Sequence, residues 1–376
     1  MAGAVRWQYH RAHAVLCLCL GSFSPMRLLK EVGQVGHGGR LSVGKVPPQT
    51  LRKLVFPHYG ARREEVLVRP AVGQDAAVMD LAGDLVVVSS DPITGATEKV
   101  GYLAVHVGCN DVAAMGAIPV GVVVILLLPE GTSEAQLDSI MREISEASRE
   151  IGVEVLGGHT EVTPGLPQPI VMVTALGRAS GGRIFPSSRA QPGDQIVLTK
   201  SAGWEGTGIL AADYGAELAR ALPADLLQRA RSFCWRISIV REAVVASARG
   251  ARAMHDVTEG GVLGALFEMA DASGLGFEVW ESRIPVAAET RAICQYFGID
   301  PLRLVSSGCL LVAAEDGEGL VQALAAEGLS ATVIGHFTPG SARVLVDADG
   351  RRRNVRPPES DELWRVRSPR LEGQGS

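Results

Sequence analysis

Gly73–Gly116 reads GQDAAVMDLAGDLVVVSSDPITGATEKVGYLAVHVGCNDVAAMG. Three acids in it, Asp75, Asp91 and Asp111, each stand beside a short apolar segment. The Val-rich run 85–90 has the length and composition of a buried strand. Asp91 follows it directly, ahead of Pro92. An ionised carboxylate at a buried strand end is costly unless a cation or hydrogen-bond donors compensate it. Several such acids close together repel one another, and a hard cation is the economical remedy. Magnesium takes oxygen ligands and commonly keeps substrate phosphates in its shell. The stretch therefore points to a magnesium–nucleotide site built from aspartates at strand ends. A further acid of this kind, Asp256, follows the apolar segment 251–254 in HDVTEGG (255–261).

Outward from that stretch, apolar and helical periodicities alternate. The sequence predicts a helix over 49–55, a strand over 65–69 and a hairpin of 76–79 with 85–89. A helix over 98–115 follows, then a strand over 120–128 that is apolar throughout, as a strand buried on both faces would be. Next come an amphipathic helix over 133–151 with a capping start and strands over 153–156 and 169–178. This order argues for an α+β domain with a mixed sheet. The Ser-, Gly- and Pro-bearing segment 179–194 is the expected domain boundary. Beyond it lie strands over 195–200, 251–254, near 277, and over 309–313, 331–337 and 343–346. Helices are expected over 224–248, after HDVTEGG, and over 287–297 and 317–327. Gly203, Gly206 and Gly208 form a strand-to-helix turn of the kind that can aim amides at an anion. From Arg351 the chain is Arg- and Pro-rich, and disorder is expected over the last ten residues. No internal repeat is evident.

The 376 residues, 47% of them apolar, suffice for two globular domains. A net charge of -5 argues against nucleic acid as a partner. The first forty residues hold five cations against one acid. Their run AVLCLCL is too short to span a bilayer, and a disordered or non-native extension over 1–40 is expected rather than secretion or a membrane anchor. Six cysteines without a CxxC pair fit reduced thiols in the cytoplasm.

Six motifs occur in order: GQDAAV, SSD, NDVAAMGAIP, GGHTE, HDVTEGG and DPLRLVSSGCLL. Together they resemble the PurM-like, AIR synthase-related superfamily, which includes AIR synthase, selenophosphate synthetase, thiamine-monophosphate kinase and the hydrogenase maturation protein HypE. The similarity runs over about 41–366 and looks most like HypE. It implies two domains, 41–180 and 190–350, followed by a tail, 351–376. The N-terminal mixed-sheet domains would form a dimer barrel, and the C-terminal domain an α/β sandwich. It further implies a homodimer, ATP in a cleft between the domains, and Mg2+ on the phosphates. Carried over motif by motif, Asp75, Asp91, Asp111 and Asp256 fall on metal or phosphate positions, with Asp91 and Asp256 as catalytic candidates. Lys45, Asn110, Gly158, His159, Thr160, Thr258, Gly260 and Gly261 join Asp75 and Asp111 as nucleotide-binding candidates.

Three departures stand beside the resemblance. Gln74 precedes Asp75 where relatives often have two consecutive acids. His159 stands where they usually carry an acid: either Glu161 takes over, or one metal site is lost, or His159 contacts phosphate. No cysteine follows Cys309 and the chain ends LEGQGS, so HypE's reaction on its own terminal cysteine is not expected here. The expected function is ATP-dependent activation of an amide- or carbonyl-type oxygen by phosphorylation, in hydrogenase maturation and with maturation proteins as partners. A cyclo-ligase or small-molecule kinase is the alternative enzyme. A non-catalytic nucleotide-binding scaffold is the third reading, favoured by Gln74 and His159. Taken singly, each Asp has the plainer reading of a turn or cap. His255 is read as orienting Asp256, and Lys200 as either a phosphate contact or an edge cover.

Overall fold

A computed structural model describes residues 45–367, apart from positions 59, 95 and 97. The expectations for 1–40 and for the last nine residues lie outside the described residues. In chain order come α1 (Pro48–Leu54), β1 (Val66–Val68), β2 (Ala77–Leu81), β3 (Asp84–Ile93), α2 (Val100–Ala114), β4 (Ala117–Leu128), α3 (Glu134–Ile151), β5 (Glu154–Val162) and β6 (Ile170–Ala179). The second half holds β7 (Gln195–Thr199), α4 (Trp204–Asp213), α5 (Gly215–Leu218), α6 (Ala224–Arg231), α7 (Val240–Ala248), β8 (Ala251–Val257), α8 (Gly261–Ser273), β9 (Gly276–Trp280), α9 (Ala288–Phe297), β10 (Cys309–Ala314), α10 (Gly317–Ala326), β11 (Ala331–Thr338), β12 (Arg343–Val346), β13 (Arg352–Asn354) and α11 (Glu362–Arg367).

The strands form two sheets. The first runs β1-β2-β3-β6-β4-β5 and the second β13-β12-β9-β11-β7-β10-β8. Each is antiparallel except for one parallel pair, β4 with β5 and β12 with β9. The α+β, two-sheet architecture expected from the sequence is therefore the one observed. Helix α2 is buried along its whole length, because α3 and the first sheet both pack against it. Its apolar residues share one core with Ile209, Leu210 and Ile293 of α4 and α9. The two halves are thus packed together. Among the described residues no helix is long and apolar enough to cross a membrane.

Four differences from the sequence reading have physical causes. Strand β3 does not stop before Pro92 but runs to Ile93, pairing with β6. Strand β2 covers β3 only as far as Val88, so beyond that point one edge is free and a residue without an N–H is tolerated. Strand β5 continues through GGHTEV because β4 pairs with it as far as Leu128. The expected helix over 224–248 is broken between α6 and α7. There Trp204 Nε1 donates to Phe233 O at 3.1 Å, the Tyr102 hydroxyl to Trp235 O at 3.1 Å, and Asn110 Nδ2 to Ile237 O at 2.8 Å. Those carbonyls serve tertiary partners instead of a helix. Finally, residues 352–367 add β13 to the second sheet and set α11 against the cleft described next.

Candidate functional site

A cleft of about 660 Å³ is lined by both halves of the chain. From the first half come Lys45, the turn 71–75, the end of β3 and Asp111; from the second come α4, β8, α8, the 305–307 loop and 358–364. The free edge of β3 past Val88 is what lets Asp91 face this space. Gly73 has φ +74°, and a Cβ there would meet Glu268 O at 2.5 Å. Only glycine lets the Asp75 turn lie flush on α8.

Four acids converge on the cleft floor. The Ser89 hydroxyl lies 2.5 Å from Asp111 Oδ2, 3.4 Å from Asp91 Oδ2 and 3.1 Å from Asp75 O. Burial first, then the Asp75 charge with a smaller part from Asp91, pushes Asp256 up to about 8. Burial, the Asp256 charge and a hydrogen bond with Asp91 hold Asp111 well above the usual carboxylate range. The acids feel one another, as the repulsion argument requires.

Asp75, His255 and Asp256 each present a potential ligand atom within 4.8 Å of the others. His255 is nevertheless not free to bind a metal. Its Nδ1 is bonded to Asp75 and its Nε2 lies 3.2 Å from Glu268 Oε2. Burial opposes charging this ring, yet the adjacent Asp75 carboxylate and then Glu268 raise it to about 10. It is an imidazolium clamped between two acids. Burial acts to raise Glu268, but Lys45 and His255 outweigh it and hold Glu268 down at about 2. Lys45 Nζ meets Glu268 Oε1 at 3.0 Å.

Two buried carboxylate oxygens, Asp75 Oδ2 and Asp256 Oδ2, have no hydrogen-bond partner. An orphaned buried anion is expensive. An all-oxygen set with unpaired lone pairs fits a hard divalent cation. The residues present therefore suit Mg2+.

Glu205, Glu259 and Asp361 line the same cleft. Asp361 accepts from the amides of Gly260, Val305 and Leu363 at 2.6, 3.2 and 2.8 Å. Glu259 Oε1 accepts from Trp364 Nε1 at 2.9 Å. Glu205 is buried in the first turn of α4, and burial, opposed by the neighbouring Ser307, raises its carboxyl above the usual range.

Of the residues singled out in the sequence, Lys45, Asp75, Asp91, Asp111, Asp256, Thr258 and Gly260 line the cleft. Asn110 does not. Its side chain brackets Ile237 O and Ile239 N, tying α2 to the second half. Gly158, His159 and Thr160 lie on the exposed strand β5, where His159 Nε2 meets Glu161 Oε2 at 3.0 Å. They do not line the cleft of their own chain. Gly260 and Gly261 make room for protein rather than for a ligand: a Cβ would meet Pro358 at 2.7 Å and Leu302 O at 2.6 Å. The Gly203, Gly206 and Gly208 turn offers no amide nest of three, since the Gly203 and Gly206 amides donate to Ser306 Oγ and Val305 O. Lys200 is bonded to Glu242, Ser238 O and Gly308 O, inside the protein. Ser89, Glu205, Glu268 and Asp361 were not singled out. Glu268 sits mid-helix in an apolar run, and only the fold opposes it to Lys45 and His255.

Residues 73–179 match the N-terminal domain, and residues 191–347 the C-terminal domain, of the AIR synthase related proteins. The chain belongs to this family. It is 30% identical over 336 residues to a putative hydrogenase expression/formation protein of Methanocaldococcus jannaschii, covering 86% of this chain and 97% of that one. It is 30% identical over 320 residues to the carbamoyl dehydratase HypE of Rhodobacter capsulatus, covering 82% and 90%. A crystal structure of the hydrogenase maturation protein HypE in complex with ATP superposes with a TM-score of 0.66 at 26% identity, covering 86% of this chain and 98% of that one.

Proposed function

We propose that this chain is an ATP- and magnesium-dependent enzyme that activates the oxygen of a carboxamide by phosphorylation and eliminates it as phosphate, in hydrogenase maturation. The observation that carries the proposal is the convergence of Asp75, Asp91, Asp111 and Asp256 on one cleft, two of them with an orphaned oxygen. Relatives named carbamoyl dehydratase and an ATP-bound neighbour support it. The four aspartates would hold Mg2+, which supplies charge neutralisation for the triphosphate. Around them, the imidazolium of His255 fixes the Asp75 carboxylate. Lys45 stands at the mouth of the cleft on Glu268, a cation within reach of an incoming polyanion. Trp364 and Pro358 also line the cleft.

The test is phosphate release with Mg-ATP and a primary-amide acceptor. Asp91→Asn and Asp256→Asn are expected to lower it by about 10²-fold or more. Ordinary turnover in both variants would remove the site.

A homodimer is part of the proposal. Strands β4 and β5 expose Ile118, Val120, Leu156 and Val162, each more than half accessible. A contiguous apolar face of this kind marks an interaction surface, and β5 is also an unpaired edge. A second copy covering it would take in His159 and Thr160. Leu156→Asp is expected to yield monomers by sedimentation; an unchanged dimer would place the interface elsewhere. Maturation proteins are the proposed partners and the cytoplasm the proposed location, in keeping with the free thiols of Cys109, Cys234, Cys294 and Cys309.

A further inference from the structure

We infer that Gln74 is the residue that recognises the acceptor's carboxamide, its side-chain amide pairing with the acceptor's through two hydrogen bonds; this rests on the carboxamide reading above. Among the described residues lining the cleft, three buried side-chain oxygens have no hydrogen-bond partner: Asp75 Oδ2, Asp256 Oδ2 and Gln74 Oε1. Two belong to acids and suit a cation. The third is neutral and calls for a different ligand. An acceptor buried without a donor is costly, and no described residue supplies one to Gln74 Oε1.

The backbone that carries this side chain is fixed. The Gln74 amide donates to Ala71 O at 3.2 Å, and the Ser89 hydroxyl donates to Asp75 O at 3.1 Å. Gly73, just before it, lies flush on Glu268 O, with no room for a Cβ. A tightly held turn therefore presents, in the cleft wall, an amide oxygen that the described chain does not use.

The chemistry of the two groups is complementary. A primary carboxamide carries a carbonyl acceptor and an N–H donor on one edge, and the amide of glutamine carries the same pair. Placed edge to edge, Gln74 Oε1 accepts the acceptor's N–H and Gln74 Nε2 donates to the acceptor's carbonyl oxygen. That oxygen keeps a second lone pair, open to the γ-phosphorus. The pairing also sorts ligands. A carboxylate brings no N–H and adds charge to a floor of four acids. A thioester lacks the donor, and Oε1 would stay unpaired, which is the kind of contact that gives a site its discrimination. A glutamate at this position would accept the N–H too, but as a fifth negative charge beside Asp75. Glutamine accepts it without one.

The experiment uses the full-length protein loaded with Mg2+ and a non-hydrolysable ATP analogue. The probes are S-methyl thiocarbamate, a primary carboxamide, and S-methyl thioacetate, in which a methyl replaces the NH2. Their affinities are read by ligand-observed NMR titration in the wild type, Gln74→Leu and Gln74→Asn, and Mg-nucleotide affinity is read by calorimetry. Gln74 Oε1 bonds to no described residue, so Gln74→Leu strands no partner of that oxygen and the fold should hold. The wild type should prefer the carboxamide by about tenfold to hundredfold. In Gln74→Leu the preference should shrink to within about threefold, with Mg-nucleotide affinity kept within about twofold. Gln74→Asn, with the same amide one methylene shorter, should keep part of the preference. An undiminished preference in Gln74→Leu, or none in the wild type, overturns the inference. So does a loss of Mg-nucleotide affinity beyond about tenfold in Gln74→Leu, which would make Gln74 Oε1 a ligand of the cation. Phosphate release from Mg-ATP and S-methyl thiocarbamate is followed separately. Release that persists while the preference ignores Gln74 leaves the proposed function standing without this inference. A Gln74-dependent preference with no release leaves the recognition standing and removes the proposed reaction.

Discussion

Two buried polar constellations of the protein are finished to different degrees. In one, Lys200 is bonded to Glu242, Ser238 O and Gly308 O, and Asn110 brackets Ile237 O and Ile239 N. In the other, Asp75 and Asp256 each keep a buried oxygen with no partner. Burying a polar group is tolerable when its hydrogen bonds are complete and costly when they are not. The first constellation is complete within the chain, and its Asn110 ties α2 to the second half. The second is incomplete within the chain, and what would complete it must come from outside. Between these two constellations, hydrogen-bond completeness rather than burial or charge marks the difference.

The largest expected effect breaks the complete side. Lys200→Ala would leave Glu242, 3% exposed, as an uncompensated buried charge, at a cost of about 3–5 kcal/mol. Urea unfolding measures it, and a loss under about 1 kcal/mol would show that Glu242 finds water. Next, Asn110→Ala strands one carbonyl and one amide, each worth about 1–3 kcal/mol. Its ATP affinity should survive wherever the fold does, because Asn110 does not line the cleft; selective loss of nucleotide binding would return Asn110 to the site.

The incomplete side should respond with the opposite sign. Asp256→Asn removes a group that repels its neighbours once it ionises, so above about pH 8 the metal-free protein should gain about 2–4 °C in Tm. The same variant should lose the rise in Tm that Mg-ATP gives the wild type. A variant less stable without metal, or still stabilised by Mg-ATP, would contradict the convergence argument.

The smallest effect concerns His106, which is 2% exposed beneath Tyr102 and 3.4 Å from Glu150 Oε2. Burial, partly offset by Glu150, lowers it to about 4, below the ~6.5 of an unfolded chain. With the folded value the lower, the unfolded state binds the proton first. Stability from the neutral ring is therefore complete above about pH 6.5 and falls as the pH drops toward 4. Thermal melts of His106→Gln should lose that slope; an unchanged slope would assign it to the carboxylates.

The acid-bearing strand ends were legible from local sequence. Asp75, Asp91, Asp111 and Asp256 each stand beside an apolar run, and a charge there demands compensation. Glu205 and Glu268 were not legible. They lie inside helices that look like any other, and the meaning of Glu268 depends on Lys45, far away along the chain, and on His255 of the preceding strand. Asn110 was legible in the wrong sense. Its neighbour Asp111 faces the cleft, while its own side chain turns to the 237–239 segment, because adjacent helical residues point to different faces. The break in the expected 224–248 helix has the same origin, since the side chains that hold its carbonyls are remote.

Sequence by itself determined the alternation of strands and helices, the α+β class and the position of four acids beside apolar runs, because period, length and burial cost act locally. Tertiary structure alone decided which polar groups are already satisfied. Hydrogen-bond completeness depends on partners dozens to hundreds of residues apart, and only packing brings those partners within 3 Å or leaves an oxygen without one.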